Sequence, residues 1–313
     1  MTDNVLYIIG NGFDLHHGVM SNYRSFSIWL RRHHCGLYDR LQRSCKVDSL
    51  WSEFERALGH ISRQEFLEQG ELFLPDGWDP EEDQIADLLL AQDFARNSGE
   101  EFWDDIQKYF RQWVSTIKWF PIYDEKKIML DTEARFITFN YTPFLESKYG
   151  IPSEQILYIH GKATDAKNPP VIGHDRIDHF EEDFNHLPKR LRSLYHGKKS
   201  DLPEIEWLTE GAETFDLESC KPVDKILMRH EDFFKDLYDI KYIYILGHSM
   251  GNVDMPYFRK IVECNDYPEK IEWYISYFGT KEQHALLNKV RSLSTYPNDA
   301  LTPLTLQELQ LKK

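Results

Sequence analysis

The chain has 313 residues with 41% hydrophobic and 14% aromatic content, enough to bury a substantial core as one large domain or two small ones. Its formal net charge of -15 repels phosphate backbones and anionic membranes, which disfavours a nucleic-acid-binding or peripheral membrane protein. No run of about 18 uncharged apolar residues is present, so no helical membrane span is expected. Met1-Thr-Asp-Asn4 lacks the basic stretch of a signal peptide, and Cys35, Cys45, Cys220 and Cys264 are scattered with no Cys-x-x-Cys pair. Reduced thiols in a cytoplasmic protein are the expectation.

Val5-Leu-Tyr-Ile-Ile9 is an apolar, largely β-branched and aromatic run, the pattern of a strand buried on both faces of a parallel sheet. Gly10 and Gly12 then permit a tight turn with exposed backbone N–H groups ahead of a helix from Leu15. Strand, glycine turn and helix N-terminus together suit an anion or phosphate. A dinucleotide fingerprint would carry a third glycine where Leu15 stands. From about 22 to 125 the pattern is mostly helical. Tyr23–Leu30 has Ser21 or Asn22 as a cap, and Ser49–Leu58 repeats its spacing. Glu81-Glu-Asp83 starts another helix after the Pro75–Pro80 loop. An aromatic stripe then runs through Phe102, Trp103, Ile106, Tyr109, Phe110, Trp113 and Ile117. Such a stripe belongs in a core, and the whole stretch reads as a helical insertion able to cover a ligand.

Strand-like segments return at Ala134–Phe139, Gln155–Ile159, Pro170–His174, Lys241–Leu246 and Lys270–Ser276. Helices are expected behind Pro143, over Pro256–Cys264 and over Leu301–Leu311, and a mobile loop near His196–Ser200. No repeat or linker divides the chain, so 1–313 is expected to be a single α/β domain. Its sheet should be mostly parallel, with helices on both faces and the helical insertion after the first strand.

In such sheets ligands bind outside the carboxyl ends of the strands. Polar clusters follow five strand ends: Gly10–Asp14, Asn140–Thr142, His160–Gly161, His174–Asp175 and Gly247–Asp254. Gly247-His-Ser-Met-Gly251 matches a hydrolase nucleophile elbow, with Ser249 as nucleophile. Asp254 and Pro256 instead suit the cap and first turn of the following helix, which would leave Ser249 in a loop. Asn140 also suits a turn ahead of Pro143, and His160 a satisfied strand-end histidine. Glu53 and Glu55 fit a solvated helical face. His16-His17, His33-His34-Cys35 and His174-Asp175 are adjacent pairs that point apart on a helix, so no metal site is expected.

The ordered set Ile8–Asp14, Leu50–Glu55, Thr138–Thr142, Ile159–Gly161 and Gly247–Asp254 resembles the AbiH family of bacterial abortive-infection proteins. More loosely, the pattern is similar to the Rossmann-like, sirtuin-like fold of bacterial defence NAD hydrolases. There a glycine turn, an asparagine at a strand end, a His-Gly and a Gly-x-Ser loop surround NAD. The resemblance implies an anti-phage protein that hydrolyses NAD or a related nucleotide at the N-glycosidic bond, or a catalytically silent sensor of a nucleotide or phage component. In the enzymatic version His160 is the general base, and Asn140 orients the attacking water or the ribose hydroxyls. Gly10, Asn11 and Gly12 would donate to the diphosphate. Phe13, Asp14, Tyr141, Gly161, Gly247, Ser249 and Asp254 would line the ligand. NAD or another nucleotide is then the small-molecule partner, and because such toxicity needs restraint, a phage-derived trigger or a homo-oligomer is expected.

Overall fold

In the computed structural model, residues 4–45, 47–62, 65–66, 85–118, 126–175 and 203–310 are described. Six strands form one all-parallel sheet: β1 (Val5–Ile9), β2 (Arg135–Thr138), β3 (Ile156–Tyr158), β4 (Tyr242–Leu246), β5 (Glu272–Ser276) and β6 (Leu301–Leu304). Their order is β3-β2-β1-β4-β5-β6. This is the doubly wound arrangement, in which strand order reverses between β1 and β4. The Rossmann-like α/β expectation holds.

Alternation along the strands builds two cores. Leu6 and Ile8 face one side with Ile137, Leu157, Ile243, Ile245 and Trp273. That side is covered by the helices α7 (Val223–Arg229), α8 (Glu231–Lys235), α9 (Met255–Glu263) and α10 (Thr280–Arg291), through Ile226, Phe234, Phe258, Ile261, Leu286 and Val290. Tyr7 and Ile9 face the other side with Phe136, Ile156 and Tyr158, under Phe13 of α1 (Asn11–His16). In-register pairing makes an aromatic row there. Phe136, Tyr7, Tyr244 and Tyr274 stack at centroid distances of 5.0, 5.0 and 4.5 Å. Such pairs stabilise by about 0.5–1.5 kcal/mol each beyond the area they bury.

The chain divides into two compact units. The sheet unit comprises Met1–Ser25, Arg111–Val171 and Pro222–Lys313, and the helical unit Phe26–Phe110 and Ile172–Lys221. The helical unit contains α3 (Cys35–Ser44), α4 (Phe54–Leu58), α6 (Pro203–Ser219) and most of α2 (Tyr23–His33) and α5 (Ile85–Thr116). Asn22 caps α2, its Oδ1 accepting from Ser25 N at 2.9 Å. Within the helical unit the aromatic stripe is core: Phe102 stacks on Phe215, and Phe110 meets Phe26 edge-on. Among the described residues, no helix is long and apolar enough to cross a membrane.

Three expected elements differ. Leu301–Leu304 is strand β6, not the start of a helix over Leu301–Leu311, because it pairs with β5 from Trp273↔Leu301 to Ser276↔Leu304. It tolerates Pro303 by lying at the sheet edge. Pro170–His174 is not a strand: His174 makes only an isolated bridge to Cys220. Behind Pro143 the chain forms a single π turn, Leu145–Tyr149, ended by Gly150 at φ 70°. The Pro75–Pro80 loop, the Glu81–Asp83 helix start and the His196–Ser200 loop lie outside the described residues.

Candidate functional site

The loops after β1 and β4 meet where the strand order reverses. Gly10 N donates to Leu246 O at 2.9 Å and Gly12 N to Gly247 O at 2.8 Å. Gly247 has φ +67°, and a Cβ there would lie 2.1 Å from Phe13 N. A Cβ on Gly12 would lie 2.8 Å from Gly247 Cα. The glycines therefore serve a close approach of two backbones. The Gly10 and Gly12 amides expected to hold a diphosphate are committed to the β4 loop, and the Asn11 amide group donates to Ser21 O and Oγ.

Phe13 is fully buried beside His17, Phe144 and Tyr149. His17 Nδ1 lies 2.7 Å from Phe13 O and must donate to it, so Nε2 accepts from Tyr149 Oη at 2.6 Å. Burial holds the His17 imidazole down to about 4 and pushes the Tyr149 phenol up to about 12.

Asp14 neither caps α1 nor reaches outward. Its carboxylate is buried and accepts from Asn140 Nδ2 at 2.8 Å and Thr142 Oγ1 at 2.7 Å. Burial pushes this carboxyl up to about 6, against the lowering pull of Thr142, Ser21 and Asn140. Asn140 Nδ2 also donates to Gly10 O at 3.1 Å. Both amide hydrogens of Asn140 are thus committed to protein acceptors, so that any hold on water or ribose would fall to its Oδ1. Tyr141 Oη donates to Val171 O at 3.1 Å. Gly161 turns the chain after β3 at φ +82°.

A second cluster lies over Phe139, at the end of β2. His160, from the β3 end, places Nε2 3.6 Å from Asp254 Oδ1. His248, from the β4 loop, places Nε2 3.5 Å from Asp254 Oδ2. All three side chains are buried. Asp254 occupies the N-cap position of α9 without a side-chain capping bond, so its oxygens are turned to the two imidazoles. Phe139 touches both rings at centroid distances of 5.2 and 4.1 Å, and Tyr257 and Phe258 add further walls. Lys289 of α10 donates to Ser249 O at 3.1 Å and Met250 O at 2.7 Å, holding the β4 loop in place. Burial lowers its ammonium, opposed by the nearby Asp254 charge.

Ser249 is exposed in this loop, followed by the short turn Asn252–Asp254 before α9. A nucleophile elbow, with the helix starting at the serine, is not formed. His174 belongs to the helical unit, where its Nε2 lies 3.1 Å from Ser219 Oγ and 3.3 Å from Asp216 Oδ1. Glu53 pairs with Arg56 at the surface, whereas Glu55 pairs with Lys221. Among the described residues no group of three or more His, Cys, Asp or Glu is arranged to hold a metal ion. Sequence reading missed His248, hidden inside the elbow-like motif, and Lys289, which carries no local signal.

A family model described as bacteriophage abortive infection AbiH matches residues 6–277. The chain belongs to the AbiH family. No curated protein and no solved structure matches it. The AbiH match takes in every site residue described above except Lys289.

Proposed function

We propose that this AbiH protein is an abortive-infection effector that hydrolyses NAD or a related nucleotide at its N-glycosidic bond, with His160 as the general base. The carrying observation is the buried His160 beside Asp254, assembled from two strand ends at the edge where doubly wound sheets bind ligands. Burying two imidazoles and a carboxylate costs stability unless they are paired, so such groupings mark functional sites. In the reaction, water oxygen bonds to C1′ as His160 takes its proton. The C–N bond breaks, and its electron pair leaves with a neutral nicotinamide. Asp254 favours the imidazolium formed. Phe139, Tyr257 and Phe258 limit water around it.

The committed Gly10 and Gly12 amides argue against a glycine cradle for the diphosphate. The recognition proposed here therefore centres on the nucleoside and its glycosidic bond. Asn140 acts by joining the β1 and β2 loops rather than by touching substrate.

A second reading, a silent nucleotide or phage-component sensor, is favoured by that same commitment of Asn140 and the glycines. Incubation of the purified protein with NAD, following nicotinamide release, separates the two. Release abolished by His160→Ala is expected. No turnover with any phage-derived trigger, together with no nucleotide binding by calorimetry, would sink the enzymatic reading. Binding without turnover, with toxicity surviving His160→Ala, would favour the sensor.

A further inference from the structure

Two imidazoles face one carboxylate, but they are not equivalent. Met250 N donates to His248 Nδ1 at 2.9 Å. A backbone N–H can only donate, so Nδ1 carries the lone pair and the ring proton sits on Nε2, the atom facing Asp254 Oδ2 at 3.5 Å. His248 Nδ1 is committed to Met250. The loop bearing Met250 is itself fixed, by Lys289 on its carbonyls and by the positive φ of 52° at Met250.

We propose that His248 is a positioning residue, an Nε2–H donor that steadies Asp254 Oδ2 so that Oδ1 is presented to His160. The proposal rests on the reading of His160 as the base, and it divides the labour between the two rings. The present separations of 3.5 and 3.6 Å lie just beyond hydrogen-bond length. Catalytic contacts commonly shorten when substrate binds. The groups facing His160 in this cluster are Asp254, His248 beyond it, and the Phe139 and Tyr257 rings, with the Lys289 ammonium near Asp254.

Two substitutions separate this role from mere support of the loop. His248→Asn keeps an acceptor where Nδ1 stood, so Met250 N–H stays bonded, but removes the donor toward Asp254. His248→Gln places an N–H₂ donor where Nε2 stood and removes the acceptor for Met250. The readouts are the titration midpoint of His160, followed by NMR of histidine-labelled full-length protein, and the kinetics of nicotinamide release. In His248→Asn the carboxylate loses the Nε2–H donor that faces its Oδ2. The His160 midpoint should rise by about half to one pH unit, and kcat should fall about tenfold at unchanged KM. His248→Gln should stay near the parent in both. The reverse ranking, or equal behaviour of the two variants, overturns the proposal. If the parent protein cleaves no NAD while the midpoints still divide as expected, the coupling through Asp254 stands and the assigned reaction falls.

Discussion

Among the described residues each compact unit buries a histidine–carboxylate cluster, and the two are built differently. In the helical unit the Ser219 hydroxyl donates to Phe215 O, so its oxygen accepts from His174 Nε2–H at 3.1 Å, with Asp216 Oδ1 at 3.3 Å. Next along the chain, Lys221 pairs with Glu55 at 2.8 Å, and its backbone N–H donates to His174 O. Every named proton there has an acceptor within normal reach. In the sheet unit, Asp254 faces two imidazoles, with Oδ1 3.6 Å from His160 Nε2 and Oδ2 3.5 Å from His248 Nε2. The same residue types form a closer network around one ring in one place and a looser one shared by two rings in the other. A buried histidine beside an acid is therefore informative only once its distances and its other neighbours are known.

The largest effects should fall on opposite sides of this contrast. His160→Ala should lower nicotinamide release about 10²–10⁴-fold while thermal unfolding stays near the parent. His174→Ala should do the opposite, lowering stability to urea by about 3 kcal/mol through the unpaired groups it leaves, with turnover per folded molecule unchanged. Loss of activity without loss of stability in His174→Ala would invert the comparison.

Lys221→Met sharpens the structural side. It leaves the Glu55 carboxylate without its ammonium and should cost about 3 kcal/mol, most of it recovered when Glu55→Leu is added. Equilibrium denaturation of the single and double variants reads this directly.

Asp14 supplies a pH signature. Its folded-state pKa of about 6 lies above the ordinary value of 3.8. The native state thus binds the proton more tightly than the unfolded chain. That contribution is full below pH 3.8 and is lost as pH rises through about 6, a swing of about 3 kcal/mol. Asp14→Asn should flatten the stability profile between pH 4 and 7. A profile as steep as the parent's would remove Asp14 as its source. The smallest effect is expected at Ser249, where alanine should change neither cleavage nor fluorophosphonate labelling.

The central strands were legible because β1 and β4 are uninterrupted apolar runs, largely buried. The sheet edge was not. Leu301, Leu304, Leu306 and Leu309 carry a near-helical spacing, and only pairing with β5 makes Leu301–Leu304 a strand. The glycines announced that something approaches their backbone without saying what. The answer is Gly247 rather than a diphosphate. Asp254 suited both a cap and a contact, since both need a short acid at a helix start; side-chain direction decides, and sequence does not carry it. Lys289 reaches its carbonyls from a helix forty residues on from Ser249, a tertiary fact with no local trace.

The C-terminal stretch bears on how this family is handled as material. The AbiH match stops at residue 277, after β5 but before α10 and β6. A chain trimmed at Tyr277 would lose β6 and leave the backbone of β5 as a bare hydrogen-bonding edge, the surface through which sheets stick to one another. It would also lose the ammonium that grips Ser249 O and Met250 O. Insolubility and inactivity of such a fragment would then share one origin, and neither would speak against the chemistry of the full-length protein.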